Sequence, residues 1–154
     1  YSCFDTDYTG MGTTMVSAVA LGDEVYVLNV GDSRAYRITK RKLVQITRDH
    51  SLVQDMVDRG EISAEEARTH PRRNVITRAL GVDENVPCDI FKPRLSRGDM
   101  LLLCSDGLTN MLEDREIFEL SKHNPDPLSL GRALMAEALE RGATDNVTVV
   151  IISK

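Results

Sequence analysis

Strands that are apolar on both faces constrain the fold of this chain most. Residues 24–30 and 146–152 carry apolar side chains at both odd and even positions. Successive side chains of a strand point to opposite faces of a sheet, so strands of this kind are buried on both sides. The sequence therefore predicts sheets that are covered by other layers.

Turn-forming residues divide the chain into further short strands. Gly22-Asp23 and Gly31-Asp32 interrupt the first apolar segments, and residues 97–99 separate two later ones. The predicted strands cover residues 13–21, 24–30, 34–39, 43–46, 87–95, 100–105 and 146–152. The close spacing of the first four predicts an antiparallel meander.

Helices are predicted where capping residues precede apolar residues at helical spacing. They cover residues 52–59, 63–70, 113–122 and 127–141. Ser51 and Asp126 are the predicted N-caps of the first and last helices, and Ser63 opens a capping box with Glu66. The pattern as a whole predicts one α+β domain over residues 1–154, with antiparallel β-sheets flanked by helices and a small helical insertion after the fourth strand.

Length and charge argue against several classes of function. A chain of 154 residues fits one domain, and a net charge of −5 disfavours nucleic acid and anionic membranes as partners. No apolar run approaches the roughly 20 residues of a membrane span. We therefore expect no nucleic-acid binding and no membrane span, and we expect a monomer.

The cysteines and the opening residues bear on location and completeness. Cys3, Cys88 and Cys104 show neither zinc-ligand spacing nor the pattern of a disulfide framework. A reducing cytoplasm is the simplest location for such a chain. Residues 1–5 have no initiator Met and no amphipathic period, which is typical of the middle of a longer chain.

Three aspartates share one local setting. Asp32 and Asp106 follow apolar strands, Asp145 precedes one, and each stands beside a small or turn-forming residue. Strand ends at one edge of a sheet bring carboxylates together, and converging carboxylates need a counter-charge such as a hard divalent cation. A single Asp at a strand end is more often a turn or cap residue. The pattern alone leaves metal binding and three unrelated turns as equal alternatives.

Six short segments occur in a fixed order across almost the whole chain. They are G-M-G-T-T (10–14), V-G-D-S-R-A-Y (30–36), T-R-D-H-S (47–51), I-T-R-A-L-G (76–81), L-C-S-D-G-L-T-N (103–110) and G-A-T-D-N-V-T-V-V (142–150). This series resembles the motifs of PP2C-type protein serine/threonine phosphatases, most closely the bacterial enzymes that reverse Hanks-type kinases. The resemblance implies a PP2C-like α/β/β/α sandwich, here incomplete at the N-terminus.

The resemblance also implies a metal centre that uses Mg²⁺ or Mn²⁺, with two and in some members three ions. The S-D-G and D-N motifs make Asp106 and Asp145 ligands of one ion. Asp32, from G-D-S-R, would bind a third, weaker ion together with Asp106. Asn110 stands where some members place another Asp, and its neutral amide implies a weaker third site. The implied nucleophile is a metal-activated water, so no side chain serves as nucleophile and Cys104 is expected to be a buried thiol.

Two segments of the family are absent from these 154 residues. They are an R-x-x-N-E-D-like segment and a D-G-x-G-G segment, which supply a phosphate-binding Arg and further metal ligands. We therefore expect this chain to be the C-terminal two-thirds of a catalytic domain and to be inactive alone. The main alternative is a non-catalytic regulatory or interaction module on the same scaffold. A metal hydrolase of unrelated fold would require six coincidental matches.

The helical insertion matches the flap of the family, at about residues 50–80, which borders the active site. Arg72 and Arg73 lie within it and are candidate substrate-binding residues, although a solvated basic face is the simpler interpretation. We expect this segment to pack less densely than the sheets. The implied partners are phosphorylated proteins, among them a Hanks-type Ser/Thr kinase and its substrates. Arg34 is expected to be an ion-pair donor, and Asp49 a cap or turn residue.

Overall fold

The computed structural model describes residues 10–22 and 24–154. Asp23 of the predicted first turn, Cys3 and residues 1–5 lie outside the described residues. The strands are β1 (Met15–Leu21), β2 (Glu24–Val30), β3 (Arg34–Ile38), β4 (Leu43–Gln45), β5 (Asp89–Phe91), β6 (Met100–Cys104) and β7 (Val149–Ser153). The helices are α1 (Leu52–Asp58), α2 (Ala64–Thr69), α3 (Asp106–Thr109), α4 (Asp114–His123) and α5 (Pro127–Glu140). The α+β class is as predicted.

The strands form two antiparallel sheets, ordered β1-β2-β5 and β4-β3-β6-β7. The predicted four-strand meander is wrong, because β2 and β3 belong to different sheets. Consecutive strands that are apolar on both faces need a facing layer, and crossing from one sheet to the other provides it. Val27 of β2 and Ala35 of β3 accordingly pack in one buried cluster with Leu101 and Leu103.

The centre of the four-stranded sheet, β3 and β6, is buried on both faces. The edge strand β7 is not, because Val150 and Ile152 are exposed, so the burial on both faces predicted for residues 146–152 is wrong. Leu101 and Leu103 of β6 face the other sheet, whereas the intervening Leu102 packs in a second cluster with residues of the helices. That second cluster includes Ile117 of α4 and Leu130 of α5, both fully buried. The helices thus cover one face of this sheet, and the three-stranded sheet covers the other.

Several predicted boundaries shift for local reasons. The strand predicted at 87–95 is reduced to β5, because Pro87 and Pro93 cannot donate to a ladder. The last strand begins at Val149 rather than at Asn146. The short helix α3, which starts directly after β6, was not predicted.

The caps follow the sequence closely. The Ser51 hydroxyl accepts from the backbone N–H of Gln54 at the start of α1, and Ser63 forms the predicted capping box with Glu66 at α2. Asp126 accepts from the backbone of the first turn of α5, which has Pro127 at its first position.

The two ends of the segment 50–80 lie side by side, where the segment joins the rest of the domain, which we call the body. The backbone N–H of Leu52 donates to the carbonyl of Val75 at 2.9 Å, and that of Thr77 donates to the carbonyl of His50 at 2.8 Å. We call this pairing of residues 50–52 with residues 75–77 the neck. Beyond the neck, α1 buries Val53, whereas no residue of α2 is buried. No helix in the described ranges is long and apolar enough to cross a membrane.

Candidate metal centre

Asp32 lies in a tight turn between β2 and β3. The preceding Gly31 has φ +106°, and a Cβ there would lie 2.4 Å from Cγ2 of Thr14, so only glycine fits. The Gly31 carbonyl accepts from the backbone N–H of His50 at 2.9 Å. Ser33, on the other side of Asp32, shares a hydrogen bond of 2.9 Å with the Thr14 hydroxyl. The turn that carries Asp32 is therefore held on both sides.

Asp106 is the first residue of α3 and directly follows Ser105 at the end of β6. A Cβ on Gly107 would lie 2.5 Å from the carbonyl oxygen of Asn146, so this glycine permits the close approach of the two segments. Ser105 Oγ donates to the same carbonyl at 3.1 Å and accepts from the backbone N–H of Thr148 at 3.0 Å. The S-D-G and D-N motifs thus meet backbone to backbone.

Asp32 and Asp106 come together at one cavity. Both line a cavity of about 540 Å³ between α1, α2 and the start of α4. Burial raises the pKa of Asp32 to about 6, with a further contribution from the negative charge of Asp106. Asn110 lines the same cavity, and its side-chain amide donates to Asp106 Oδ2 at 3.2 Å. These three residues predicted for the metal centre thus lie at one cavity.

Asp145 lies beside this group rather than in it. It is exposed, its Oδ1 accepts from the backbone N–H of Asn146 at 2.6 Å, and it is not among the described residues that line the cavity. Its carbonyl oxygen lies 3.4 Å from the Cβ position of Gly107, next to Asp106. Within residues 10–22 and 24–154, no group of three or more His, Cys, Asp or Glu could hold a metal ion. Sharing of one ion by Asp106 and Asp145 stays a prediction.

The two candidate substrate residues differ in position. Arg73 lines the cavity, whereas Arg72 is not among its described lining residues. Both are exposed, and the backbone N–H of Arg72 donates to Nδ1 of His70.

A buried ion pair forms part of the cavity wall. Arg34 donates to both carboxylate oxygens of Asp49, with a shortest distance of 2.7 Å. Arg34 also donates to the hydroxyl of Tyr36, which donates in turn to Oδ1 of Asp114 at the start of α4. Arg34 is thus the predicted ion-pair donor. Asp49 is neither cap nor turn residue, because its carboxylate is buried against Arg34 and Gln45.

Cys104 is a buried core thiol, as expected. It is 2% exposed, and burial raises its pKa to about 12. At neutral pH the thiol is protonated, which suits packing and not attack on phosphorus.

His50 was not singled out from the sequence as a site residue. It is 2% exposed and contacts Gly31, Arg78 and Asp89. In the sequence, His50 stands between Asp49 and Ser51 in one short polar segment. The structure buries all three residues. A polar run such as T-R-D-H-S gives no indication of burial.

Comparison with known proteins gives the family. Residues 2–140 match the sequence profile described as Protein phosphatase 2C. The chain belongs to this PP2C family. It is 42% identical over 154 residues to the serine/threonine phosphatase stp of Listeria monocytogenes, covering 100% of this chain and 61% of that protein. The chain thus spans about three-fifths of the length of that relative.

Solved PP2C structures have the same fold. The crystal structure of the serine/threonine phosphatase Stp1 from Staphylococcus aureus matches with a TM-score of 0.95 and 45% identity, over 100% of this chain and 61% of that one. The catalytic domain of the serine/threonine protein phosphatase PstP in complex with 2 manganese ions matches with a TM-score of 0.82 and 36% identity, over 97% of this chain and 62% of that one. The sandwich implied by the motif resemblance is thereby confirmed for the matched part.

Proposed function

We propose that this chain is part of a metal-dependent phosphatase that hydrolyses phosphoserine and phosphothreonine in proteins. The observation that carries the proposal is the meeting of Asp32 and Asp106 at one cavity, in a chain of the PP2C family. The relatives named above are serine/threonine phosphatases, which supports phosphoproteins as the substrate class. A bacterial Ser/Thr kinase and its substrates are the proposed partners.

The donor atoms at the cavity fit a hard divalent cation. Asp32 and Asp106 offer carboxylate oxygens, and no Cys or His is among the described residues that line the cavity. Burial, and after it the negative charge of Asp106, raises the pKa of Asp32 to about 6, so a cation bound there would relieve an unfavourable charge. Oxygen ligands favour Mg²⁺ or Mn²⁺, and Mg²⁺ is often held by one or two carboxylates with several waters. The manganese ions in the PstP structure support the same assignment.

We assign the following roles in the proposed reaction to residues of this chain. Asp106 and Asp145 would hold one ion, and Asp32 with Asp106 would hold a weaker one, two or three ions being expected in the complete centre. Asn110 would orient the Asp106 carboxylate through its amide. Bound cations would activate water and stabilise negative charge on the phosphate oxygens. Arg73 is placed to attract an anionic substrate at the edge of the cavity, and Arg72 is a weaker candidate.

A chimera tests the proposal directly. This chain replaces the matching residues of the Listeria phosphatase, and Mn²⁺-dependent hydrolysis of an aryl phosphate is measured beside the chain alone. We expect turnover by the chimera, none when Asp106→Asn is introduced, and negligible turnover by the 154 residues alone, which lack the family's other ligand segments. The loss should amount to several orders of magnitude, because positioning alone can supply about 7 kcal/mol.

Two results would change the assignment. An inactive chimera that folds and binds its partners would favour the non-catalytic module. Robust turnover by the 154 residues alone, abolished by Asp106→Asn, would show that they hold a complete site.

A further inference from the structure

We propose that His50 is a positioning residue that fixes the Asp32 turn through one ring nitrogen and the far side of the neck through the other. The consequence for metal binding rests on the function proposed above. The role of His50 in holding the Asp32 turn and the neck does not depend on that function, since it concerns hydrogen bonds within this chain.

The first ring nitrogen of His50 holds the Asp32 turn. The backbone N–H of Gly31 donates to Nδ1 at 3.1 Å, and the backbone N–H of His50 donates to the Gly31 carbonyl at 2.9 Å. The side-chain amide of Asn29 donates to that carbonyl as well, at 3.2 Å. Both polar groups of Gly31 are therefore satisfied inside the protein, next to the residue proposed to bind metal.

The second ring nitrogen faces a charged pair beyond the neck. Nε2 lies 3.2 Å from Oδ2 of Asp89 and 3.0 Å from Nη1 of Arg78. Arg78 donates to Oδ1 of Asp89 at 2.8 Å and to the carbonyl of Pro87 at 3.1 Å. Arg78 follows Thr77 of the neck, and Asp89 opens β5. His50 thus contacts Gly31 and Asp89 of the body and also Arg78, which lies directly after the neck.

The partners determine where the ring proton lies. Nδ1 accepts from Gly31, so the neutral ring carries its proton on Nε2. That N–H donates to Asp89, while Arg78 uses Oδ1 of Asp89 and Pro87. The pKa of Asp89 lies below its usual range, chiefly because of Arg78 and further because of His50, so the acceptor stays charged. This tautomer satisfies the contacts of His50 with Gly31 and Asp89, whereas the approach of Arg78 Nη1 to Nε2 is then a contact between two donors and not a hydrogen bond.

Loss of either contact has a different consequence. Without an acceptor at Nδ1, the buried N–H of Gly31 is left unpaired, and an unpaired buried donor is costly. The turn can then relax from the conformation that directs Asp32 to the cavity. Without a donor at Nε2, the link to Asp89 is lost, and the neck is held by its backbone hydrogen bonds alone.

Two conservative substitutions separate the two contacts. The oxygen of Asn in His50→Asn lies near the position of Nδ1 and can accept from Gly31. The amide nitrogen of Gln in His50→Gln lies near the position of Nε2 and can donate to Asp89. Asp89→Ala removes the outer partner of His50, together with the ion pair of Asp89 with Arg78, at a side chain that is 37% exposed, so it tests the same link with little risk of unfolding. His123→Gln, at an exposed histidine, is the matched control.

The measurement is amide hydrogen exchange of the 154-residue chain without metal, followed residue by residue. We expect His50→Gln to speed exchange at Gly31 while Thr77 stays protected. We expect His50→Asn and Asp89→Ala to speed exchange at Thr77 while Gly31 stays protected. The control should change neither amide. A uniform acceleration throughout the sheets, or no change at Gly31 in His50→Gln, would overturn the proposal.

Mn²⁺ affinity of the chimera with the Listeria phosphatase, measured by the paramagnetic relaxation of water, gives the second readout. We expect His50→Gln to weaken binding about tenfold, the scale seen when residues that orient metal ligands are replaced, with little effect of His50→Asn. Equal affinities in the two variants would contradict the link to the metal site. If the chimera with His50 intact binds no Mn²⁺, the proposed function fails at this site, whereas the exchange pattern still decides the role of His50.

Discussion

Asp32 differs from Asp49 and Asp114, two other acidic residues of the cavity, because no ion pair and no side-chain hydrogen bond to its carboxylate occurs among residues 10–22 and 24–154. Asp49 is paired with Arg34, and Asp114 accepts from Tyr36. Asp32 instead has a pKa raised to about 6 by burial and by Asp106. At the scale of single residues, the ionised form of Asp32 is therefore unfavourable in this cavity, and a bound cation would stabilise it.

Removing that charge should stabilise the metal-free chain. The pKa of Asp32 in the folded state, about 6, lies above its ordinary value of 3.8, so folding stability falls as pH rises from about 4 through about 6. In chelator at pH 7, Asp32→Asn should gain about 1 kcal/mol after allowance for solvent screening. Urea denaturation at pH 4 and pH 7 checks this, with the exposed Asp145→Asn as control. A variant that is destabilised equally at both pH values would refute it.

Gly31 should tolerate no side chain, for two separate reasons. Its φ of +106° disfavours any L residue, and a Cβ would meet Thr14 at 2.4 Å. Gly98 has φ +88° but nothing within 4 Å of a Cβ, so Gly98→Ala measures the backbone cost alone. We expect Gly98→Ala to cost about 1 kcal/mol and Gly31→Ala about 3 kcal/mol in urea denaturation. Equal losses would show that Thr14 moves aside.

At the scale of elements, α1 and α2 differ in how they are held. α1 buries Val53, and its cap Ser51 is itself buried in the neck. α2 buries none of its residues and depends on the capping box of Ser63 and Glu66. Helices this short are marginal without packing, so the cap carries much of the stability of α2.

Ser63→Ala should therefore loosen α2 without unfolding the domain. Loss of such a cap costs about 1 kcal/mol. We expect faster amide exchange in Ala64–Thr69 and an unchanged urea midpoint, whereas Ser51→Ala should lower the midpoint. If Ser63→Ala lowers the midpoint as much as Ser51→Ala, α2 is part of the cooperative core.

The elements also show what the sequence could predict. Caps and strands were predicted well because their signals are local: Ser51, Ser63 and Asp126 precede their helices directly. The separation of β2 from β3 was not predicted, because pairing of β2 with β5 joins residues about sixty positions apart. That Asp32 and Asp106 line one cavity agrees with the motifs, whereas the pairing of Arg34 with Asp49 and the role proposed for His50 depend on burial that no pattern shows.

At the scale of the whole molecule, β6 is the strand on which both cores depend. Leu101 packs between the two sheets, and the adjacent Leu102 packs under the helices, each with no exposed surface. Val150 lies on the edge strand β7 and is 49% exposed. The molecule is therefore a stack of layers joined through one strand.

Truncation along this strand should be costly on both faces. We expect Leu101→Ala and Leu102→Ala each to lower the free energy of unfolding by about 2–5 kcal/mol, and Val150→Ala by less than about 1 kcal/mol. Urea denaturation measures all three. A small loss at Leu101 with a large one at Leu102 would mean that the three-stranded sheet is only loosely packed against its neighbour.

The neck has a consequence for how such a chain can diversify. Because residues 50–52 pair with residues 75–77, the intervening residues 53–74 form a loop whose two ends are held together by backbone hydrogen bonds. Closing a loop of different length costs little extra entropy once its ends are fixed. We therefore expect that the length of the segment 53–74 can change, in evolution or by design, without a change in the turn that carries Asp32.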